Sequence, residues 1–481
     1  MTIAEEQIQG AGRVQPLRTL LRASALYGVA GAIGKAGALI TVPIVTRALG
    51  PAEYGLLDLS TALIGLATLI GGLSAELPAA RLAAEHPERQ AATFTTYAAT
   101  VIAITSMIAI ALLVANEFIA SVVWNQPTAG PLVITASGAV ILTSIQLATW
   151  NIHRLQDRPV AYAVLSMIDI GLKVILITAV AIAGSQAGGI VAVYLAVSGI
   201  GAVAGLWSVR RDLKWQILPA AIRPMVVGGA MFTVIAVAFV AAGYAVRSLL
   251  SSEVGGAAVG QMGVAIRLAS VLALPLAAFQ FAWAPPSMAA DQSPASRRMF
   301  KQSTLGVLVA GALAALVITA FSPEGVLILA GSEFTPAAEA VAGLAASTVL
   351  AAGFFMLGVA LSAARAGLQY AALAAVGGAG LQLLVTAVAI APLGDQAAVG
   401  TGSVVGYAAA VLITLAYGRS RLLDAPWLIV AATLAITAVA IAMQTAVVLD
   451  LTFLRWVVGA ASAIAFAFVV GGNLRTLSAK P

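Results

Sequence analysis

The sequence contains no cysteine, which excludes disulfides, thiolate metal sites and cysteine nucleophiles together. Histidine is nearly as rare. His86 and His153 are the only two, both are expected in short loops, and two isolated imidazoles make a poor metal site. Charge is scarce too: 9% of residues are charged, against about 25% in a typical soluble domain. So few charges cannot cover a water-facing surface. Loops long enough for a folded extramembrane domain are also missing, which argues against an integral membrane enzyme with paired carboxylates or histidines. Nucleotide motifs fail in context. Lys35 follows Gly34, but the phosphate-loop spacing and the Ser or Thr after the Lys are absent. The run GIGAVAG at 199–205 lies inside an apolar stretch with no strand before it. No cofactor and no nucleic-acid partner are expected.

What fills the chain instead is hydrocarbon. Hydrophobic residues make up 61% of it, and the mean hydropathy is +1.01. A bilayer-spanning helix needs about 20 mostly apolar residues. About 14 segments qualify, from 24–48 and 56–80 through 258–288 to 427–447 and 454–473. The runs are continuous, not alternating, so helices and not barrel strands are expected. The expected fold is therefore an all-α polytopic membrane bundle. Small-xxx-small pairs such as Gly201–Gly205 and Gly402–Gly406 read as close helix packing. Most of the 25 Lys and Arg fall at one set of span ends, among them Arg13, Arg81, Arg154, Arg210, Arg297 and Arg475. The positive-inside rule then puts both termini in the cytoplasm, in a multi-pass protein of the cytoplasmic (inner) membrane. The apolar run after Arg22 is too long for a signal-peptide core and is read as a retained first helix.

The longest loop of that set divides the chain. The expected division is an N-terminal cytoplasmic arm at 1–23, a first lobe at 24–208, a linker at 209–223, a second lobe at 224–418, and two further spans with a tail at 419–481. A faint repeat supports two halves: Arg47, Glu53 and Gly55 recur as Arg247, Glu253 and Gly255, at an offset of 200. Pro43, Pro275, Pro285 and Pro286 can kink their helices. Trp124, Trp150, Trp207, Trp283, Trp427 and Trp456 lie near span ends and read as interfacial anchors.

The segment YGVAGAIGKAGALITVPIVTRALGPAEYGLLDLSTAL, Tyr27 to Leu63, carries a fuller pattern. A first helix ends in Pro43, Ile44, Thr46 and Arg47, followed by Leu49-Gly50-Pro51 and Glu53-Tyr54-Gly55, then a second helix. Two weaker segments join it, Val259 to Met288 and, in a loop after the ninth span, Leu329 to Ala338. Together they resemble the polysaccharide and O-antigen flippases of the multidrug/oligosaccharidyl-lipid/polysaccharide exporter superfamily. The resemblance implies two pseudo-symmetric six-helix lobes plus two C-terminal helices, opening alternately to either side. It implies an oligosaccharide on a polyprenyl diphosphate as cargo, with a polysaccharide polymerase and glycosyltransferases as working partners. Branches that flip the peptidoglycan precursor lipid or export small molecules by cation exchange are the alternatives.

Charges inside spans are the candidate site. Each costs about 2.5–3.5 kcal/mol near a helix centre, so it is expected to face a partner or a wet cavity. Lys35, Lys173 and Arg267 lie inside spans, and Arg47 and Arg247 at the outer ends. All five are candidates for gripping a diphosphate, since Arg offers a fork and Lys a point charge. For Arg47 and Arg247 the competing reading is interfacial snorkelling. Asp169 and Asp58 are candidates for ion coupling. Asp169 stands four residues before Lys173, so the two can instead neutralise each other. Asp58 can instead be a helix N-terminal acid stabilised by the dipole. Bases outnumber acids within the spans, which favours an anionic cargo over a cationic drug.

Overall fold

The computed structural model describes residues 17–288, 293–362, 367–418 and 426–478. Side chains are described for all of these except 17–36, 38, 281–282, 284–288, 295, 359–362, 418 and 470–478. Every regular element among the described residues is helical. Helix Leu17–Gly72 is broken at Gly50, whose φ of 68° no ordinary side chain adopts cheaply. We label its limbs α1 (17–49) and α2 (51–72). Pro51 opens α2, where its missing N–H removes a donor that would lack a partner anyway. The trio Leu49-Gly50-Pro51 thus reverses the chain with a single non-helical residue.

The remaining helices are α3 (Glu76–Glu85), α4 (Gln90–Val114), α5 (Gly130–Leu155), α6 (Pro159–Ile182), α7 (Ala187–Val209), α8 (Pro219–Glu253), α9 (Gly256–Ala269) and α10 (Ala273–Met288). After them come α11 (Pro294–Ala320), α12 (Ser322–Ala330), α13 (Ala338–Ser362), α14 (Gly367–Leu393), α15 (Asp395–Gly418), α16 (Trp427–Val448) and α17 (Thr452–Ser478). The described residues hold 13 helices long and apolar enough to cross a membrane. The first of them, Leu39–Glu85, runs through the Gly50 turn, and dividing it there gives the 14 expected spans. Residues such as Met107, Val114 and Phe468 turn outward, 70%, 80% and 77% exposed, as a lipid-covered surface requires. The chain is a multi-pass membrane protein.

The first half packs α1 and α2 on α4 to α7, and the second packs α8 and α11 on α13 to α15. The halves meet where α2 crosses α9. We call the membrane face at the Gly50 turn distal and the opposite face proximal. At the distal crossing a Cβ on Gly55 would stand 2.0 Å from the Gly256 carbonyl oxygen, and one on Gly260 would stand 2.1 Å from that of Pro51. The contact is reciprocal, so a local two-fold relates the helices. The second half also has a positive-φ turn, at Gly255 (φ 119°), just before α9. Gly50, Pro51 and Gly55 therefore correspond to Gly255, Gly256 and Gly260. The repeat runs at an offset of 205, not 200, because the turn and the close crossing must recur while Arg47 and Glu53 need not.

Other boundaries move for equally local reasons. The expected eighth span, 258–288, is two helices joined by a 3₁₀ turn at Ser270–Leu272. Pro275 explains it: its ring cannot sit against the carbonyl of residue 271 in an α-helix. The linker shortens to 210–218 because Pro219 starts α8. Its backbone is held by Thr95 and Thr96 of α4, whose hydroxyls accept from the Lys214 and Leu218 amides, and the Asp212 carboxylate accepts paired hydrogen bonds from the Arg158 guanidinium. The loop after the ninth span is itself helical, as α12 and a 3₁₀ segment Ser332–Ala337. His153 lies in the last turn of α5, not in a loop, buried and hydrogen-bonded to Ser208. Of the tryptophans, Trp207, Trp427 and Trp456 are exposed, but Trp124, Trp150 and Trp283 are buried in protein. Trp124 donates to the Tyr244 hydroxyl across the two halves.

The glycine crossing yields a first prediction. Gly55→Ala or Gly260→Ala forces backbone apart and should cost about 1–3 kcal/mol, read as a lower melting temperature of the purified protein in detergent. Gly171→Ala, with nothing within 4 Å of its Cβ, should be neutral or stabilising. Equal melting temperatures for all three variants would refute the crossing.

Candidate functional site

A cavity of about 260 Å³ opens between α1, α2, α6, α7 and α9. Tyr54 and Asp58 of α2 line it, with Asp169 and Lys173 of α6, Tyr194 of α7 and Arg267 of α9. At about 1.5 Å per residue, Asp58 lies roughly 12 Å along α2 from the Gly50 turn. Arg267 lies roughly 18 Å along α9 from Gly255 by the same measure. The charged groups are thus well below the distal face.

Each charge has an identifiable neighbour. Asp58, 5% exposed, accepts from the Arg247 Nε at 2.7 Å. Arg247 comes from α8 in the second half, so the pair ties the two halves together. This corrects both competing readings above. Arg247 reaches inward rather than snorkelling, and Asp58 is held by a guanidinium rather than by the dipole of its own helix. Gly263 of α9 makes the room: a Cβ there would stand 3.0 Å from the Asp58 carboxyl carbon. Asp169 is bridged twice, by the Lys173 Nζ at 2.8 Å and the Gln146 Nε2 at 2.9 Å. Lys173 also stands 5.7 Å from the Tyr194 ring centre, within cation–π range. Arg267 forms none of the ion pairs found among the described residues. It is in electrostatic contact with Tyr54, Asp58 and Tyr194.

Lys173, Arg247 and Arg267 therefore stand against Asp58 and Asp169, leaving one positive charge in excess among the described side chains. The Lys35 side chain lies outside the described residues. Arg47 is not brought to the cavity. It is exposed, and its guanidinium donates to the Pro43 and Ile328 carbonyls, each at 2.9 Å, bridging α1 to α12 on the distal face.

The three segments that carry the family pattern converge at that face. Tyr54 meets the Phe334 ring edge-on, with centroids 5.8 Å apart, and the Gln261 Nε2 approaches the Glu333 carbonyl at 3.4 Å. With the glycine crossing, these contacts close the distal end of the interface. A family model described as "Polysaccharide biosynthesis protein" matches residues 20–290. The chain belongs to that family.

No curated protein matches this chain by sequence. Solved structures match its fold. A structure described as lipid II flippase MurJ in an inward closed conformation has a TM-score of 0.64 at 12% identity, covering 94% of this chain and 99% of that one. An inward-facing multidrug resistance MATE transporter of the MOP superfamily has a TM-score of 0.62 at 13% identity, covering 80% and 94%. An outward-facing MATE transporter has a TM-score of 0.59 at 17% identity, covering 85% and 96%. The family member described here therefore has a membrane transporter fold across nearly its whole length.

Sequence reasoning missed the uncharged polar residues that complete the site, Tyr54, Gln146 and Tyr194. A glutamine within an apolar span was the available signal, because an amide there needs a partner as a charge does.

The cross-half pair yields a second prediction. Arg247→Leu leaves Asp58 buried without its partner and should cost about 3–5 kcal/mol. The double variant Asp58→Leu with Arg247→Leu should recover much of that loss, as read by thermal unfolding in detergent. Strictly additive losses would show that the pair carries no coupling.

Proposed function

We propose that this protein is a flippase that carries a polyprenyl-diphosphate-linked oligosaccharide across the cytoplasmic membrane for surface polysaccharide synthesis, with both termini cytoplasmic. The observation that carries the reading is the cavity, where a guanidinium with no ion-pair partner among the described residues stands beside two cations held by displaceable carboxylates. A diphosphate offers negative charge and several acceptor oxygens. Arg267 can accept it with a fork, and Lys173 and Arg247 can turn to it from Asp169 and Asp58. Lys35 joins this set as a residue of α1. Arg47 acts at the distal closure instead of in the cavity.

The counter-ions give the cycle its reversibility. When cargo takes Arg247, the Asp58 pair that joins the halves is broken, so binding weakens the interface that must open. Asp58 and Asp169 are then free to take up a proton or cation, which restores neutrality while the halves move. The distal contacts support loading from the proximal face, which the distribution of Lys and Arg makes cytoplasmic. A polysaccharide polymerase and glycosyltransferases would use and supply the cargo. No step requires bond-breaking chemistry.

The test is complementation in a strain that depends on this protein for surface polysaccharide. Arg267→Ala and Lys35→Ala should each lower the polysaccharide at least tenfold at equal protein level in the membrane. Arg267→Lys should restore part of it, since a point charge replaces the fork. If both alanine variants restore polysaccharide fully, the cavity does not bind the cargo. Cation-dependent efflux of small molecules with no effect on polysaccharide would favour an exporter instead.

A further inference from the structure

Beside the cationic cavity lies a larger one with a different lining. It holds about 490 Å³ between α2 and the inner faces of α8, α9 and α13 to α15. Ser347, Gln382, Ser403 and Tyr407 line it, and its one charged lining residue is Arg247. A side-chain amide buried in an apolar span is costly unless its groups find partners. Gln382 is 5% exposed. Its Nε2 approaches the Ser403 Oγ at 3.4 Å, while its Oε1 is buried with no hydrogen-bond partner among the described residues. Gln382 thus brings to the cavity lining an acceptor that has nothing to accept from among the described residues. The Ser347 hydroxyl donates to the Leu344 carbonyl. Tyr407 stacks on Phe239, with ring centres 3.7 Å apart and planes within 8°. Both rings belong to the cavity lining and add aromatic surface to it.

Arg247 is the partition between the two cavities. Its residue lines the uncharged cavity while its Nε is bonded to Asp58 on the wall of the cationic one. A ligand that spans both must therefore carry its anionic part next to an uncharged part rich in hydroxyl donors and possessing an apolar face. A sugar ring meets both demands, with hydroxyls at its rim and C–H groups on its face.

We propose that the uncharged cavity of the second half binds the sugar residue attached directly to the diphosphate, with Gln382 accepting from its hydroxyls and the Phe239–Tyr407 stack bearing its C–H face. The inference rests on the flippase reading above and adds to it where saccharide is recognised. A site built to hydrogen-bond a hydroxyl discriminates strongly against a ligand that lacks it, because its own polar group is then left unpaired.

The experiment measures binding to the purified full-length protein in nanodiscs. The probes are undecaprenyl diphosphate alone, the same lipid bearing one hexose, and the same lipid bearing one N-acetylhexosamine. The wild type should bind at least one sugar-bearing lipid about tenfold or more tighter than the bare diphosphate. Gln382→Leu should abolish that difference while leaving the bare diphosphate unchanged, and Ser403→Ala should narrow it. Arg267→Ala should weaken all three alike. Ser403→Ala also serves as the second variant should Gln382→Leu fail to fold. If the wild type binds all three lipids equally, or Gln382→Leu and Ser403→Ala keep the full difference, the sugar assignment is wrong and the flippase reading stands. If the wild type binds none of them, that reading falls and takes this inference with it.

Discussion

A charge inside a hydrocarbon-covered bundle must be met by a partner, and the bond from Arg247 to Asp58 is where this chain meets that demand across its two halves. Taking both groups out of water costs several kcal/mol per ion, which good geometry and further hydrogen bonds must offset. The local fold supplies them. Arg247 is held by the Gly243 carbonyl of its own helix as well as by Asp58. Gly263 leaves the carboxylate its space, and the Gly55–Gly260 crossing brings α2 and α9 close enough for the reach to work. A bulkier residue at any of these glycines would move the pair apart as well as the helices.

The spans and their number were legible because apolar length alone sets a span. The shape of the first turn was not: spans at 24–48 and 56–80 left seven residues between them, whereas Gly50 alone leaves the helical conformation. The Asp169–Lys173 pair was legible, since a separation of four residues stacks them on one helix face. The Asp58–Arg247 pair was not. Its partners lie 189 residues apart, and only the packing of α2 against α8 makes them neighbours. The buried tryptophans show the same limit, because a position near a span end does not say which way the ring turns. The repeat was seen but misaligned. Matching letters favoured Arg47 with Arg247, whereas the backbone repeats its glycines, and the two arginines have unrelated jobs.

That divergence separates the roles of the two faces. Distal contacts are made largely by backbone: carbonyls accept from Arg47, and bare glycines let helices touch. Such contacts depend on alignment of the halves and carry little net charge, so they can form and part with modest cost in solvation. The cavity contacts are ionic and strong at close range, so they respond to what is in the cavity. A transporter needs both kinds, one that registers whether the halves are together and one that registers whether cargo is present.

Paired cations suit this better than bare ones would. A cavity lined only by free guanidinium and ammonium groups would hold a diphosphate so tightly that release would limit turnover. Here Lys173 and Arg247 already have carboxylate partners, so binding of the anionic cargo proposed above would exchange one anion for another. On that proposal its net strength would be the difference between two large terms, and the returning carboxylates would help to expel what they replaced. Arg267, with no ion-pair partner among the described residues, would supply the excess that makes such entry favourable. On that proposal, gripping and letting go would follow from the same few side chains.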